Sequence, residues 1–287
     1  MTRSPRTPAQ STRTPSPPDH HATAYADLVR LATFNLLHGR SLTDGLVESH
    51  RLTAAVAALD ADVLALQEVD RGQGRSGNLD QTALAAQALA ADEHRFAAAV
   101  VGEPGGKVRP LTHDDDGQDE PRYGVGLVSR HPVISWQVIR LKPAPVRAPI
   151  YVPGSRGGLV LLRDEPRVVL AAVLRTPHGP WTVAATHLSF VPGWNARQLC
   201  QAVGALRALP APRILLGDLN LPAGAARLLT GWRSLGRRPT YPAGQPRIQL
   251  DHVLADRQGH HRLPPVTAVR TPLSVISDHR PLVVDLR

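Results

Sequence analysis

The first apolar stretch, Leu28-Val29-Arg30-Leu31-Ala32-Thr33-Phe34, carries one charge among β-prone residues and predicts a strand that ends at Asn35. Leu52, Val56 and Leu59 then recur at i, i+4 and i+7, the spacing of a helix with one buried stripe. A short apolar strand over 63–66 follows and delivers Glu68 at its end. The same alternation predicts a helix over 82–91 and strands near 96–101, 124–128 and 133–141. Beyond that point strands outnumber helices. Residues 168–174 and 181–186 flank the turn Thr176-Pro177-His178-Gly179 and read as a hairpin whose second strand ends at His187. A helix over 195–209 precedes a strand at 214–216, and later strands are expected at 248–254, 266–269 and 282–286. Residues 102–122 and 142–166 read as long loops, placed to shape the rim of a site. Hairpins mixed with helices fit an α/β fold of two packed sheets with helices outside, rather than an all-parallel doubly wound sheet.

Composition adjusts this picture only slightly. The 287 residues suffice for one core, and 42% hydrophobic against 20% charged residues is an ordinary globular balance. Residues 1–27 are rich in Ser, Thr, Pro and Arg and predict a disordered tail, leaving 28–287 as one domain. The tail lacks the apolar stretch of a secretory signal, and its prolines at positions 5, 8, 15, 17 and 18 oppose the amphipathic helix of a transit peptide. No stretch is apolar for long enough to predict a membrane span. Cys200 is the only cysteine, which excludes an intrachain disulfide and a multi-cysteine zinc site and fits a reducing cytoplasm. Its place in a helical stretch predicts a small buried hydrophobe.

A formal charge of +9 favours phosphate-rich partners. A second reading stands beside it. Lys107 and Lys142 are the only lysines, and the arginines accompany many Ala, Gly and Pro residues, as GC-rich coding would produce. No compact Lys/Arg run with interleaved aromatics marks a nucleic-acid groove.

Candidate chemistry sits at the predicted strand ends. Leu215-Leu216-Gly217-Asp218-Leu219-Asn220 is an apolar strand closing on an acid and an amide two residues apart, which share a face in extended chain. Asp218 could polarise a water or hold a metal while Asn220 orients it, although both residues also favour strand ends as turn formers. Ser277-Asp278-His279-Arg280-Pro281 sets an acid beside an imidazole, and Asp251 in Gln249-Leu250-Asp251-His252-Val253 could fix the tautomer of His279. Each motif alone is weak.

Six words taken in order are more specific: Thr33-Phe34-Asn35, Leu66-Gln67-Glu68-Val69, Thr186-His187-Leu188, Gly217-Asp218-Leu219-Asn220, Leu250-Asp251-His252-Val253 and Ser277-Asp278-His279-Arg280-Pro281. In them the chain resembles the endonuclease/exonuclease/phosphatase superfamily typified by deoxyribonuclease I. The resemblance implies a four-layer α/β/β/α sandwich of two mainly antiparallel sheets flanked by helices. It also implies Glu68 as the main metal ligand with Asn35 and Asp278 close by, Asp218 and Asn220 positioning the attacking water, His187 and His279 on the scissile phosphate, and Asp251 behind His279. Mg²⁺ is the expected ion, with Mn²⁺ as an alternative, because carboxylate and amide oxygens suit a hard cation.

Tyr123-Gly124-Val125-Gly126, Glu165-Pro166-Arg167 and Asn195-Ala196-Arg197-Gln198 resemble further family segments and make Arg167, Asn195 and Arg197 candidates to reach phosphate or brace the site. The alternative for an arginine is a solvated surface charge. Leu36-Leu37-His38-Gly39 departs from members that carry a second acid after the first asparagine, and the inositol polyphosphate 5-phosphatase words are missing. Gly102-Glu103-Pro104-Gly105-Gly106-Lys107-Val108 lacks P-loop spacing, and Asp114-Asp115-Asp116-Gly117 reads as a solvated turn. The expected activity is metal-dependent hydrolysis of a phosphoester, a diester before a monoester, in nucleic acid or a small or lipid molecule. The rival is a catalytically silent binding module on the same fold. Beyond the substrate no protein partner is implied.

Overall fold

A computed structural model describes residues 28–104, 108–111, 120–151 and 158–287. The tail over 1–27, Lys107 and the Asp114 to Gly117 turn lie outside the described residues. The strands of the first half are β1 (Val29–Asn35), β2 (Val63–Arg71), β3 (Glu93–Gly102), β4 (Val108–Pro110), β5 (Arg122–Ser129) and β6 (Val133–Leu141). Then come β7 (Arg147–Tyr151), β8 (Leu159–Arg163), β9 (Arg167–Thr176), β10 (Gly179–His187) and β11 (Arg213–Asp218). The last four are β12 (Arg233–Ser234), β13 (Asp251–Ala255), β14 (Val266–Arg270) and β15 (Leu282–Leu286). Among the described residues four α-helices accompany them: α1 (Ser49–Ala57), α2 (Gln81–Ala88), α3 (Trp194–Leu206) and α4 (Ala223–Thr230).

One sheet runs β14-β15-β1-β2-β5-β3-β4 and the other β12-β13-β11-β10-β9-β6, with β7 and β8 paired apart. Only β1 with β2 and β10 with β11 are parallel; the other pairs are antiparallel. Alternation along the strands explains the layering, because successive side chains leave opposite faces of a sheet. Leu31, Val63, Ala65 and Leu127 meet Leu170, Trp181, Val183 and Ile214 between the sheets. The opposite faces carry Phe34, Leu64 and Leu66 under Leu52 and Val56 of α1, and Ala184, Leu215 and Leu254 under Leu199, Val203 and Leu206 of α3. The result is the expected α/β/β/α sandwich. Among the described residues no helix is long and apolar enough to cross a membrane.

Several expectations change in detail. The strand read at 63–66 continues through Glu68 to Arg71, with a bulge between Leu66 and Val69 against β5. The helix read over 82–91 closes at Ala88, and the one over 195–209 closes at Leu206. The last strand of the second sheet starts at Asp251, since Ile248 makes only an isolated bridge to Tyr241. The loop expected over 142–166 contains the β7-β8 hairpin, and the one over 102–122 contains β4. Helix α4 was not legible. Cys200 is exposed on α3 rather than buried, because the helix buries Leu199 and Val203 on the face that points away from it.

Candidate active site

Two strand pairs place the polar side chains at one edge of the sandwich. In the second sheet His187, Asp218 and Asp251 stand in one cross-strand row, since His187 pairs with Asp218 and Asp218 with Asp251. Gly217 makes the row possible: a Cβ there would lie 2.0 Å from the carbonyl oxygen of Thr186. In the first sheet Asn35 ends β1 opposite Gln67, and the bulge turns the next residue, Glu68, out of the ladder with φ of 54°. Asn220 and Ser277 also hold left-handed backbone, at φ of 49° and 73°. Non-glycine residues in that region carry strain that surrounding structure must over-determine; Asp60, Asn78 and Ala90 do so elsewhere, and Glu68, Asn220 and Ser277 do so in the segments bearing the polar groups.

Asn35 joins the two sheets. Its Nδ2 donates to Glu68 Oε1 at 3.0 Å and to Asp218 Oδ2 at 3.1 Å, while its Oδ1 accepts from the Leu37 amide at 3.1 Å. That orientation presents the amine rather than the carbonyl to the carboxylates, so Asn35 braces them. The Asn220 amide donates to Asp218 Oδ1 at 2.9 Å, and Asn195 Nδ2 donates to the Asn220 carbonyl at 2.8 Å. Asn220 lies beyond the end of β11, so the turn, and not a shared strand face, ties it to Asp218. Asn220 Nδ2 donates to the Leu188 carbonyl at 3.0 Å and lies 3.3 Å from His187 Nε2.

His279 Nδ1 is 2.8 Å from Asp251 Oδ2, and its Nε2 is 3.7 Å from Asp218 Oδ2. Ser277 Oγ accepts from the His279 amide at 3.0 Å and donates to the Asn35 carbonyl at 2.6 Å, tying the loop to β1. Tyr241 packs against the His279 ring with centroids 4.9 Å apart.

Electrostatics separate the two imidazoles. Burial depresses His279, but the pull of Asp251, Asp218 and Asp278 outweighs it and raises the ring to about 10. His187 is driven well below its ordinary value by burial, with Arg167 and His279 adding to the effect, so it is neutral. Asp218 is raised, first by burial and then by Asp251, against the opposing pull of His279. Glu68 is raised by burial and by Asp278, with Asn35, His279 and Tyr123 acting in the opposite direction. Burial, with Arg75 adding, lowers His38 to about 4 and holds it neutral.

Two clusters invite a metal. Asp218, Asp251 and His279 offer atoms within 4.8 Å of one another. Their spacing suits an ion, yet Asp251 already engages Nδ1 of His279, and Asn35 and the Asn220 amide engage the two oxygens of Asp218. Glu68 and Asp278 fit better. Both are hard oxygen donors, Glu68 is raised partly by Asp278, and neither forms an ion pair among the described residues. Such a pair of adjacent carboxylates is stabilised by a divalent cation.

Arg167 is buried, with one bond to Asp164 Oδ1 at 3.2 Å and an Nε donor that has no partner. It is not a solvated surface charge. Arg197 is exposed and stacks 4.9 Å over Trp194, bonded to no site side chain. The sequence reading missed two other residues. Tyr123 on β5 faces Glu68 and favours its ionised form; the Tyr-Gly pair in a central strand was its signal. Gln198 braces the segment after His187, accepting from the Ser189 amide at 2.7 Å and donating to the Lys142 carbonyl at 2.9 Å.

A family model described as the endonuclease/exonuclease/phosphatase family matches residues 32–279. Among solved structures, an endonuclease/exonuclease/phosphatase from Beutenbergia cavernae DSM 12333 aligns with a TM-score of 0.63 at 24% identity, over 91% of this chain and 72% of its own. Sphingomyelinase C from Streptomyces griseocarneus aligns at 0.57 and 16% identity, over 91% of this chain and 99% of its own. The human nocturnin catalytic domain with bound sulfate aligns at 0.58 and 16% identity, over 91% and 94%. No curated protein matches the sequence.

Proposed function

We propose, from the premise that the chain belongs to the endonuclease/exonuclease/phosphatase family, that it hydrolyses a phosphodiester with water in the presence of a divalent cation. The observation carrying this reading is the row His187, Asp218, Asp251 facing Glu68 across the sandwich, with Asn35 bonded to both sides.

Glu68 and Asp278 would hold the cation, Mg²⁺ by donor chemistry or Mn²⁺ in its place, and once bound it would supply positive charge against the phosphoryl oxygens. Asp218 takes the proton of the attacking water; its raised affinity for protons suits a base working near neutrality. The Asn220 amide fixes one Asp218 oxygen and Asn35 the other, so the carboxylate cannot rotate away from the water. His279, kept protonated, donates from Nε2 to a phosphoryl oxygen, and Asp251 holds the proton on Nδ1. Neutral His187 contributes a hydrogen bond rather than a charge, and the buried Arg167 near it adds positive charge to the site. No covalent intermediate is needed.

The sphingomyelinase likeness keeps a lipid diester beside nucleic acid as substrate. The test is hydrolysis of bis(p-nitrophenyl) phosphate with Mg²⁺ and with EDTA, alongside p-nitrophenyl phosphate to rank diester against monoester. Turnover should require the metal and be lost in Asp218→Ala, His279→Ala and Glu68→Ala. Near-normal rates in all three variants, or none in the native protein, would overturn the proposal and favour a silent binding module.

A further inference from the structure

Away from the catalytic edge, α4, β12 and the segment after β13 enclose a cleft of about 1000 Å³. Its floor is the buried Trp232, and its walls carry Arg227, Arg233, Arg237 and Arg257, with Leu228 on the rim. All four arginines are exposed, and no carboxylate pairs with any of them among the described residues. The lining contains no acidic residue. Elsewhere some exposed basic groups are paired, as Arg130 is with Asp60 and Arg270 with Asp285. Four like charges converging on one concavity repel one another and raise its potential, so an anion there relieves a cost the fold otherwise carries.

The four come from three separate stretches of chain, brought together because β12 pairs with the far end of β13, Arg233 opposite Ala255. Along β13, Asp251 at the catalytic edge and Ala255 beside the cleft are four residues apart, about 14 Å at a strand's rise of roughly 3.4 Å per residue. Chain leads directly from one to the other, since the segment after Arg237 returns to Thr240, which accepts from the Asp251 amide at 3.3 Å.

We propose that this cleft is a docking site for the phosphate backbone of a nucleic acid, distinct from the catalytic centre. Guanidinium groups match phosphate oxygens in a two-pronged arrangement that a point charge does not. Each nucleotide of a duplex strand rises 3.4 Å or so along the helix axis, so the ~14 Å between cleft and catalytic edge corresponds to about four base pairs of duplex. A concave lining admits a chain, whereas a bilayer would meet only the rim at Leu228. With Trp232 buried, no aromatic platform is offered, so the site reads backbone rather than bases. The inference does not require the hydrolytic reading.

Binding of a fluorescein-labelled 12-nucleotide DNA to the full chain, followed by anisotropy in EDTA, tests it. Replacing the four arginines by glutamine should weaken binding at least about tenfold and reduce the slope of log K against log salt by roughly 0.7 to 0.9 per lost contact. The corresponding four lysine replacements should keep most of that slope. Metal-dependent hydrolysis of bis(p-nitrophenyl) phosphate should not change in either variant, and the glutamine variant, freed of the repulsion, should melt no lower than the native protein. An unaltered DNA affinity and slope in the glutamine variant overturns the proposal, as does retained DNA binding with lost binding to phosphatidylserine vesicles. Absent turnover in the native protein would instead remove the hydrolase reading and leave this one standing.

Discussion

Asn35 and Asp218, 183 residues apart in sequence, are joined by a hydrogen bond of 3.1 Å that crosses from one sheet of the sandwich to the other. The same amide nitrogen reaches Glu68 at 3.0 Å. One neutral side chain therefore sets the spacing between the carboxylate proposed to take a proton and the one proposed to hold a cation. An acid at this position would add a third negative charge to two carboxylates already raised by burial. A donor satisfies both without charge.

Asn35→Ala should then lower kcat on bis(p-nitrophenyl) phosphate about a hundredfold. It removes two hydrogen bonds to ionised groups, each worth about 1.5 to 3 kcal/mol, and part of the loss is recovered as Asp218 finds water. Asn35→Asp should be at least as damaging and should raise the pH at which the acid limb of the rate profile falls. Equal rates for native protein and Asn35→Ala would show that the bridge carries no catalytic weight.

Asp251→Asn probes the ring behind it. The carboxylate both fixes the proton on Nδ1 and supports the charge that keeps His279 raised to about 10. Its loss should lower kcat by roughly 10² to 10⁴. The imidazole must be protonated to donate, so activity falls as pH rises through its pKa, and weakening that support moves the alkaline limb to lower pH. A rate profile showing the drop in kcat without the shift would leave Asp251 a merely structural role.

Sequence made the strand ends legible because the second sheet is regular where it matters. Apolar runs closing on His187 and Asp218 read directly as β10 and β11, and their parallel pairing needs no irregularity beyond Gly217. The first sheet was less transparent. Nothing in Leu66-Gln67-Glu68-Val69 announces a bulge, so Glu68 read as a strand terminus rather than a residue rotated out of a longer strand. Helix α4 is only eight residues long, carries Gly224 and buries only Ala226, so its window is too short for periodicity to tell it from a turn. The β7-β8 hairpin was hidden by the prolines at 143, 145 and 149 and by leucines that face outward. Tyr123 and the arginine cleft depend on tertiary convergence, which no local window contains.

Cation binding should be linked to protons. A carboxylate whose folded pKa is raised binds its proton more tightly in the folded state, so stability falls as pH rises from the ordinary carboxylate range through the raised value, near 7 for Asp218. Glu68 follows the same sign. Without metal the protein should melt lower at pH 8 than at pH 5.5 over this contribution, and Mg²⁺, competing with protons for Glu68, should raise the melting temperature more at the higher pH. A calorimetric series showing an equal Mg²⁺ effect at both pH values would place the ion away from these carboxylates.

Two glycine replacements separate close packing from simple flexibility. At Gly217 a Cβ would lie 2.0 Å from the Thr186 oxygen and 2.9 Å from its carbonyl carbon, both backbone atoms of the neighbouring strand. Those atoms can yield only if β10 and β11 part, and that pairing is what sets His187 opposite Asp218. Gly217→Ala should thus cost about 3 kcal/mol or more in urea denaturation and, where folded protein survives, should also lose turnover. Gly224 in α4 has nothing within 4 Å of its Cβ position, so alanine there should be neutral or stabilise by up to ~1 kcal/mol, with turnover kept. If the two variants unfold at the same urea concentration and hydrolyse alike, the tight approach of β10 to β11 is not what aligns the row.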